Sequence, residues 1–424
     1  MTDTIFALSS GSPPAAIGVI RISGPSAAKA LESLAGGLPA ARTASLRVLK
    51  DGEGGVLDRA LVLFFDGPRT ATGEDLAEIH CHGGRAVVAA IERALGTMHG
   101  LRRADPGEFT RRAFANGVVD LAEAEGLADL LSAETELQRR AAEASAGGEL
   151  SRQVEAWRDR LLGLSAQVEA ALDFSDEDDV EALPPEFTDA AASLAADWRA
   201  ALDAPRAERL RDGIRVVFAG PPNAGKSSLF NALLDEGAAI VSEEAGTTRD
   251  VIERPVAFEG VPFILVDTAG LRESGAGSIE SIGIDRARRE LDRSDIILWL
   301  GDEGQGPAGS LEISSKSDIE GAAKSNAAHY VSAQTGEGVE ALIADLVQRA
   351  RQLLPKPGLA AFNQRQAESL SDAHDAIEGI SADEDLLLIG ERLRIARRSL
   401  DRLLGRHSTE DVLDALFGRF CIGK

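Results

Sequence analysis

The stretch Val216-Val217-Phe218-Ala219-Gly220-Pro221-Pro222-Asn223-Ala224-Gly225-Lys226-Ser227-Ser228 constrains this chain more than any other. It runs from an apolar strand through a glycine-bounded turn into the helical pattern Leu229-Phe230-Asn231-Ala232-Leu233. A turn of that build aims successive backbone N–H groups and a helix N-terminus at one anion. Lys226 is placed to reach terminal phosphates and Ser227 to ligate Mg²⁺. Strand, spacing and helix agree, which sets aside a chance strand–turn–helix connection. The rest of the chain is therefore read as apparatus around a nucleoside triphosphate.

Further motifs follow in order. Ala245-Gly246-Thr247-Thr248-Arg249-Asp250 lies in a polar loop, where a threonine hydroxyl can complete the Mg²⁺ shell when a γ-phosphate is present. Val266-Asp267-Thr268-Ala269-Gly270 ends an apolar strand, so Asp267 is expected to hold the hydrated metal and the Gly270 amide to approach the γ-phosphate. Ser315-Lys316-Ser317-Asp318 offers a carboxylate to the two N–H donors of a guanine edge, which adenine lacks. Ser332-Ala333-Gln334 follows a strand and offers a backbone amide over the base. Each motif is short, but the ordered set points to GTP over ATP. GTPases generally carry asparagine where Ser315 stands, and the serine is expected to weaken guanine affinity while leaving the Asp318 readout. Leu271 follows Gly270, where Ras-like enzymes carry a water-orienting glutamine. Hydrolysis then needs another group, and Glu280, Asp285 and Arg249 are candidates, each with an ordinary surface role as the alternative.

Around this centre the chain changes texture. Residues 1–118 alternate short apolar runs with glycine and proline turns, such as Ile17 to Gly24 and Ala60 to Phe65, which predicts an α+β domain. Within it, alternation along Leu76 to His82 sends His80 and His82 to one face and Cys81 to the other, a pattern that argues against a shared zinc. From Asp120 the sequence turns helical. Leu150, Val154, Trp157, Leu161, Leu164, Val168 and Leu172 form one apolar stripe, and a second helical pattern runs from about 188 to 201. Residues 213–353 read as a G domain, with strands expected at 214–219, 251–258, 262–267, 295–300 and 328–332 in a mostly parallel sheet. Leu354-Pro355-Lys356-Pro357-Gly358 reads as a rigid linker, and residues 354–424 return to helices. There Leu393, Ala396, Leu400 and Leu403 form a stripe, and Ser408 is expected to cap the last helix. The predicted fold class is multidomain, α/β plus all-α: an N-terminal α+β domain, a helical bundle from 119–212 and 354–424, and a Ras-like phosphate-loop G domain inserted into it.

At 424 residues the chain is long enough for several cores. No run of roughly eighteen apolar residues, secretory leader or lipidation signal is found, so a soluble, cytoplasmic protein with no membrane partner is expected. Two cysteines, Cys81 and Cys421, are too few for a disulfide framework. A formal net charge of −24 argues against a sequence-blind nucleic-acid binder. A local basic patch among Arg102, Arg103, Arg111 and Arg112, or among Arg392, Arg394, Arg397, Arg398 and Arg402, is weighed against ordinary helix-face solvation, which is favoured.

Taken together, the residues resemble the MnmE (TrmE) family of tRNA-modification GTPases over essentially the whole chain. The likeness rests on Gly18-Val19-Ile20-Arg21-Ile22-Ser23-Gly24, on Thr72-Gly73-Glu74-Asp75 through His82-Gly83-Gly84, and on Pro106-Gly107-Glu108-Phe109-Thr110. It rests also on the Asn223-containing phosphate loop, on Gly246-Thr247-Thr248-Arg249-Asp250 and on Cys421-Ile422-Gly423-Lys424. The resemblance implies an N-terminal domain that binds formyl-tetrahydrofolate through Arg21, Glu78 and Lys424 and helps form a homodimer. A family lysine that also contacts folate aligns with Val118. It implies G domains that dimerise in a potassium-dependent way, and a flavin-containing (FAD) partner, MnmG, in modifying C5 of the wobble uridine (U34) of certain tRNAs. The implied GTP site comprises Asn223, Ala224, Gly225, Lys226, Ser227, Ser228, Ser242, Glu243, Glu244, Ala245, Gly246, Thr247, Thr248, Asp267, Thr268, Ala269, Gly270, Lys316, Asp318, Ser332 and Ala333. Mg²⁺ falls to Ser227 and Thr248, and K⁺ to Asn223, Ser242, Glu244 and Thr247. Glu280 would orient water. Cys421 is either a thiol participant in the uridine chemistry or a buried cysteine near the folate. A regulatory or ribosome-assembly GTPase that only switches surfaces is the alternative, and an inert scaffold with a decayed nucleotide site, suggested by Ser315, is a third reading.

Overall fold

The computed structural model describes residues 3–173, 183–239, 252–267, 289–319, 324–355, 361–381, 383–406 and 409–424. They fall into two compact units, Met1–Ala128 with Arg397–Lys424, and Asp129–Ala396.

The first unit is built on a six-stranded sheet of order β3-β4-β5-β2-β1-β6. Its strands are β1 (Thr4–Leu8), β2 (Ile17–Ser23), β3 (Ser45–Lys50), β4 (Val56–Phe65), β5 (Leu76–His82) and β6 (Leu101–Arg103). The pairs are antiparallel except β1 with β6. Period-two alternation sorts each strand. Ile20 and Ile22 of β2 and Ile79 of β5 enter a core closed by α1 (Ala27–Ala35) and α2 (Arg85–Gly96), while Arg21 and Glu78 project from the opposite face. Arg21 and Glu78 are direct cross-strand partners, so the register of β2 and β5 alone brings them together. Helix α3 (Glu108–Ala115) places Phe109 in a second small cluster with Ile5 and Ala7.

Helix α4 (Leu121–Ser132) begins in this unit, and α12 (Leu386–Leu403) ends in it. The last helix, α13 (Glu410–Phe417), packs Leu413, Leu416 and Phe417 against Leu121 and Ala124. Its N-cap is Thr409, not Ser408, which lies outside the described residues.

The second unit carries a seven-stranded sheet of order β13-β12-β11-β7-β10-β9-β8. These are β7 (Ile214–Ala219), β8 (Ala238–Ala239), β9 (Ile252–Phe258), β10 (Val261–Asp267), β11 (Ile296–Trp299), β12 (Leu311–Ser315) and β13 (His329–Val331). Strands β13 to β10 run parallel, and β9 and β8 are antiparallel. Strand β12 escaped the sequence reading, because only Leu311 and Ile313 mark its buried face and it leads straight into the polar base motif. Leucines of α9 (Lys226–Glu236) and α10 (Val339–Leu353) fill the core with Val216, Phe218 and Leu265.

The flanking helices are α5 (Glu136–Ala146), α6 (Glu149–Asp173), α7 (Phe187–Leu202), α8 (Ala207–Asp212) and α11 (Gln364–Ile377). The α6 stripe is buried from Leu150 to Val168, with Ala171 rather than Leu172 closing it. Trp157 stacks on Phe362 and meets Trp198 edge-on, with centroids 6.2 and 6.3 Å apart. The chain enters and leaves the G-domain sheet at one place: Ala207 N donates to Phe362 O at 3.1 Å, and Gln364 N to a Glu208 carboxylate oxygen at 2.6 Å. That closeness is what a domain inserted between the two halves of a helical bundle requires.

Candidate functional sites: a phosphate loop and a carboxylate–guanidinium pair

Strand β7 is buried at Val216, Val217 and Phe218, so it delivers Gly220 to the sheet's C-terminal edge, where parallel sheets of this kind bind ligands. The loop that follows closes at Gly225, which caps α9 with φ 91°, in the left-handed region that glycine occupies without strain. No side chain caps this helix, so the first-turn N–H groups face the loop's concavity. Lys226 is 6% exposed, and its Nζ donates to Gly220 O at 3.0 Å and Pro221 O at 2.8 Å. Ser227 Oγ donates to Asp267 Oδ2 at 2.7 Å. Asp267, itself buried, ends β10 beside Phe218 of β7. Of the side chains expected around a divalent cation, Ser227 and Asp267 are therefore in contact, a hydroxyl and a carboxylate suited to a hard ion.

The base motifs also converge. Ser315 Oγ donates to Ala224 O at 2.6 Å, and Lys316 Nζ to Asn223 O at 2.8 Å. Ser317 N donates to Val331 O at 3.1 Å, which draws the 315–318 turn to the end of β13. Ser332 is fully buried and pinned by its N–H on Glu337 O at 2.9 Å, Ala333 is half-buried, and Asp318 is exposed. Asn223 is exposed on the loop, and Ser228 is exposed in the first turn of α9. Ser242, Glu243, Glu244, Ala245, Gly246, Thr247, Thr248, Thr268, Ala269, Gly270 and Glu280 lie outside the described residues, as do Arg249, Leu271 and Asp285.

In the first unit, Arg21 Nε and NH2 donate to Glu78 Oε1 at 3.2 and 2.9 Å, and the guanidinium lies 5.9 Å from the Phe109 ring centroid. His80 Nε2 lies 3.1 Å from Glu78 Oε2. Burial works to raise the Glu78 carboxyl, but the His80 hydrogen bond and the Arg21 charge outweigh it and hold the group below its ordinary value. Sequence reading weighed His80 only as a zinc ligand. Its two-residue spacing from Glu78 on a strand was the signal that the two share a face. The chain end is docked nearby: Ile422 forms an antiparallel bridge with Pro106, and a Cβ on Gly423 would run into the Leu8 carbonyl oxygen. Lys424 is half-buried. Cys421 is exposed, which overturns the buried-cysteine alternative, whereas Cys81 is buried and its thiol is pushed up by burial and the Asp58 charge. Val118 is 41% exposed.

Most of the arginines considered as a basic patch are paired. Arg112 is fully buried against Asp3 (2.9 Å), Glu74 (3.1 Å) and Glu108 (3.1 Å). Arg102 pairs with Asp3 and Glu108, Arg103 with Glu92, Arg111 with Glu410 and Asp414, Arg392 with Glu384, and Arg394 with Glu391. His374 and Asp375 of α11 and Glu378 at its C-cap also hold ligand atoms within 4.8 Å of one another, but Arg199 approaches Glu378 at 3.6 Å as a competing cation. No helix among the described residues is long and apolar enough to cross a membrane.

Residues 4–118 match the model described as "GTP-binding protein TrmE N-terminus", and residues 121–421 match "MnmE helical domain". The chain belongs to the MnmE (TrmE) family. MnmE relatives include a tRNA modification GTPase of Erythrobacter litoralis (strain HTCC2594), 65% identical over 423 residues and covering 100% of both chains. A namesake from Novosphingobium aromaticivorans is 61% identical over 437 residues, again with 100% of each covered. Among solved structures, the G domain of the T. maritima FeoB iron transporter is similar to 32% of this MnmE-family chain and 98% of its own, at 24% identity and a TM-score of 0.24.

Proposed function

We propose that this chain, a GTP hydrolase of tRNA modification, couples potassium-dependent GTP turnover to a one-carbon step at C5 of the wobble uridine. It would act as a cytoplasmic homodimer with the flavoprotein MnmG, its domains divided at 118/119, 212/213 and 353/354. The observation that carries the nucleotide half is the Ser227–Asp267 contact at 2.7 Å beneath an uncapped helix N-terminus. Lys226, held on the loop's own carbonyls, is positioned to turn its ammonium to phosphate oxygens, which are stronger acceptors. Ser227, Asp267 and Thr248 would hold Mg²⁺, which when bound supplies charge neutralisation on the phosphates. Asp318 accepts from the guanine edge, and the backbone at Ser332 and Ala333 covers the base. Asn223, exposed at the loop's turn with φ 62°, stands ready as a K⁺ ligand with Ser242, Glu244 and Thr247. Glu280 is assigned to orienting water.

Arg21, Glu78 and Lys424 are assigned to formyl-tetrahydrofolate. Glu78 fits an amide-like N–H edge because its neighbours keep it ionised, an acceptor at neutral pH. The cations of Arg21 and Lys424 fit an acidic tail. Exposure of Cys421 supports a thiol role in the uridine chemistry. The test is GTP hydrolysis in K⁺ and again in Na⁺ with ATP as competitor. Turnover stimulated by K⁺ and indifferent to ATP is expected, and equal rates in both salts would overturn the potassium assignment. Folate binding should be lost on Arg21→Ala or on removing Lys424, and its persistence in both variants would overturn the one-carbon assignment.

A further inference from the structure

The end of β12 touches the phosphate loop at two points. Ser315 Oγ gives its proton to the Ala224 carbonyl oxygen at 2.6 Å, and Lys316 Nζ donates to the Asn223 carbonyl oxygen at 2.8 Å. The approach is close: a Cβ on Gly225 would lie 3.3 Å from both Cβ and Oγ of Ser315. Lys316 itself has φ 62°, so the backbone turns sharply here to present its side chain to the loop. A serine hydroxyl has one proton to donate. With that proton on Ala224, Ser315 has no donor left for a nucleobase. The carboxamide of an asparagine carries two N–H donors, and can hold a loop carbonyl and a ring nitrogen at once. With Asp318 assigned to the N–H donor edge of the base, the ring nitrogen open to a further donor is N7, an acceptor in guanine and adenine alike. The two bases differ in the neighbouring exocyclic group, an acceptor in one and a donor in the other.

We infer that Ser315 positions the phosphate loop through Ala224 and makes no bond to purine N7, so that base choice passes to Asp318 and the loop after β13. Serine at this position thus lowers affinity for purine nucleotides as a class and leaves the preference for guanine over adenine intact. This rests on the guanine-nucleotide reading above.

The probe is 7-deaza-GTP, in which a C–H replaces N7, compared with GTP by equilibrium binding to the full chain. Wild type is expected to bind both within about twofold. Ser315→Asn is expected to favour GTP over the deaza analogue by about fivefold, the worth of one neutral hydrogen bond. The same variant should keep the wild-type ratio of GTP to ATP affinity. Ser315→Ala should weaken GTP and 7-deaza-GTP by the same factor, and Ser315→Thr, which restores the hydroxyl, should recover both. A wild-type protein that prefers GTP to 7-deaza-GTP about fivefold would overturn the inference, as would a Ser315→Ala protein that loses affinity for GTP alone. The wild-type comparison decides the matter even if the alanine variant fails to fold. Failure of wild type to bind GTP at all would instead remove the nucleotide reading, and this inference with it.

Discussion

Lys226 is almost wholly buried and bonds the Gly220 and Pro221 carbonyl oxygens, so its charge is already desolvated and aimed along the loop. Removing it takes away the loop's reach to the terminal phosphates, and Lys226→Ala is expected to cut GTP turnover by about a hundredfold or more. Parental rates in that variant would take the loop out of the chemistry. Arg112 is a buried guanidinium held by Asp3, Glu74 and Glu108. Removing the guanidinium leaves the Glu74 carboxylate without its cation in a largely buried site, so Arg112→Ala should lower stability by about 3 kcal/mol in urea unfolding. A change within about 0.5 kcal/mol would mean the network relaxes without cost. Glu78, Glu108 and Asp3 are each held below their ordinary carboxyl values. In all three, burial works to raise the group and neighbouring donors prevail: His80 and Arg21 for Glu78, Arg102 with the Asp105 N–H for Glu108, and Arg102 with Arg112 for Asp3. A depressed folded pKa means the unfolded chain takes up protons first as pH falls. The stabilisation is therefore complete above the ordinary value and is lost on acidification through the folded value. Unfolding midpoints followed from about pH 6 downward should fall most steeply below about pH 4. A flat profile would contradict the assigned ion pairs.

At the level of elements, the long helix α6 holds its place through one apolar stripe. Leu161 has no exposed surface. Leu161→Ala is expected to cost about 2–5 kcal/mol, read from the same urea transitions, and a loss below about 1 kcal/mol would show that the bundle collapses around the gap. The docked end of the chain depends on Gly423, whose φ of 94° and tight approach to Leu8 leave no room for a side chain. Gly423→Ala should displace Lys424 and weaken folate binding while the global unfolding midpoint stays near wild type. Unchanged folate affinity would mean Lys424 reaches its ligand without that docking. Periodicity made α6, α7 and the strands β7 and β10 legible, because each carries several apolar residues on one face. Strand β12 carries only two and stayed hidden, although it positions Ser315 and Lys316.

Across the whole molecule a net charge of −24 sets like-charge repulsion against burial. Raising NaCl from about 0.05 to about 0.5 M, without nucleotide, should therefore raise the unfolding midpoint, since screening shortens the Debye length below about 5 Å. A midpoint that falls would show that ion pairs such as those of Arg112 outweigh the repulsion. The same pairing explains why Arg102, Arg103, Arg111, Arg112, Arg392 and Arg394 do not stand as free cations: composition counts charges, and only the fold says which carboxylates stand beside them. By itself the sequence determined the phosphate loop, the order of the nucleotide motifs and the helical stripes, because local spacing and glycine placement fix where backbone groups and apolar faces must point. Only tertiary structure decided the Arg21–Glu78–His80 cluster, the docking of the chain end, the exposure of Cys421 and the bond from Ser315 to Ala224. Each joins residues far apart in sequence or depends on what covers them, and such contacts follow from strand register and packing rather than from any local pattern.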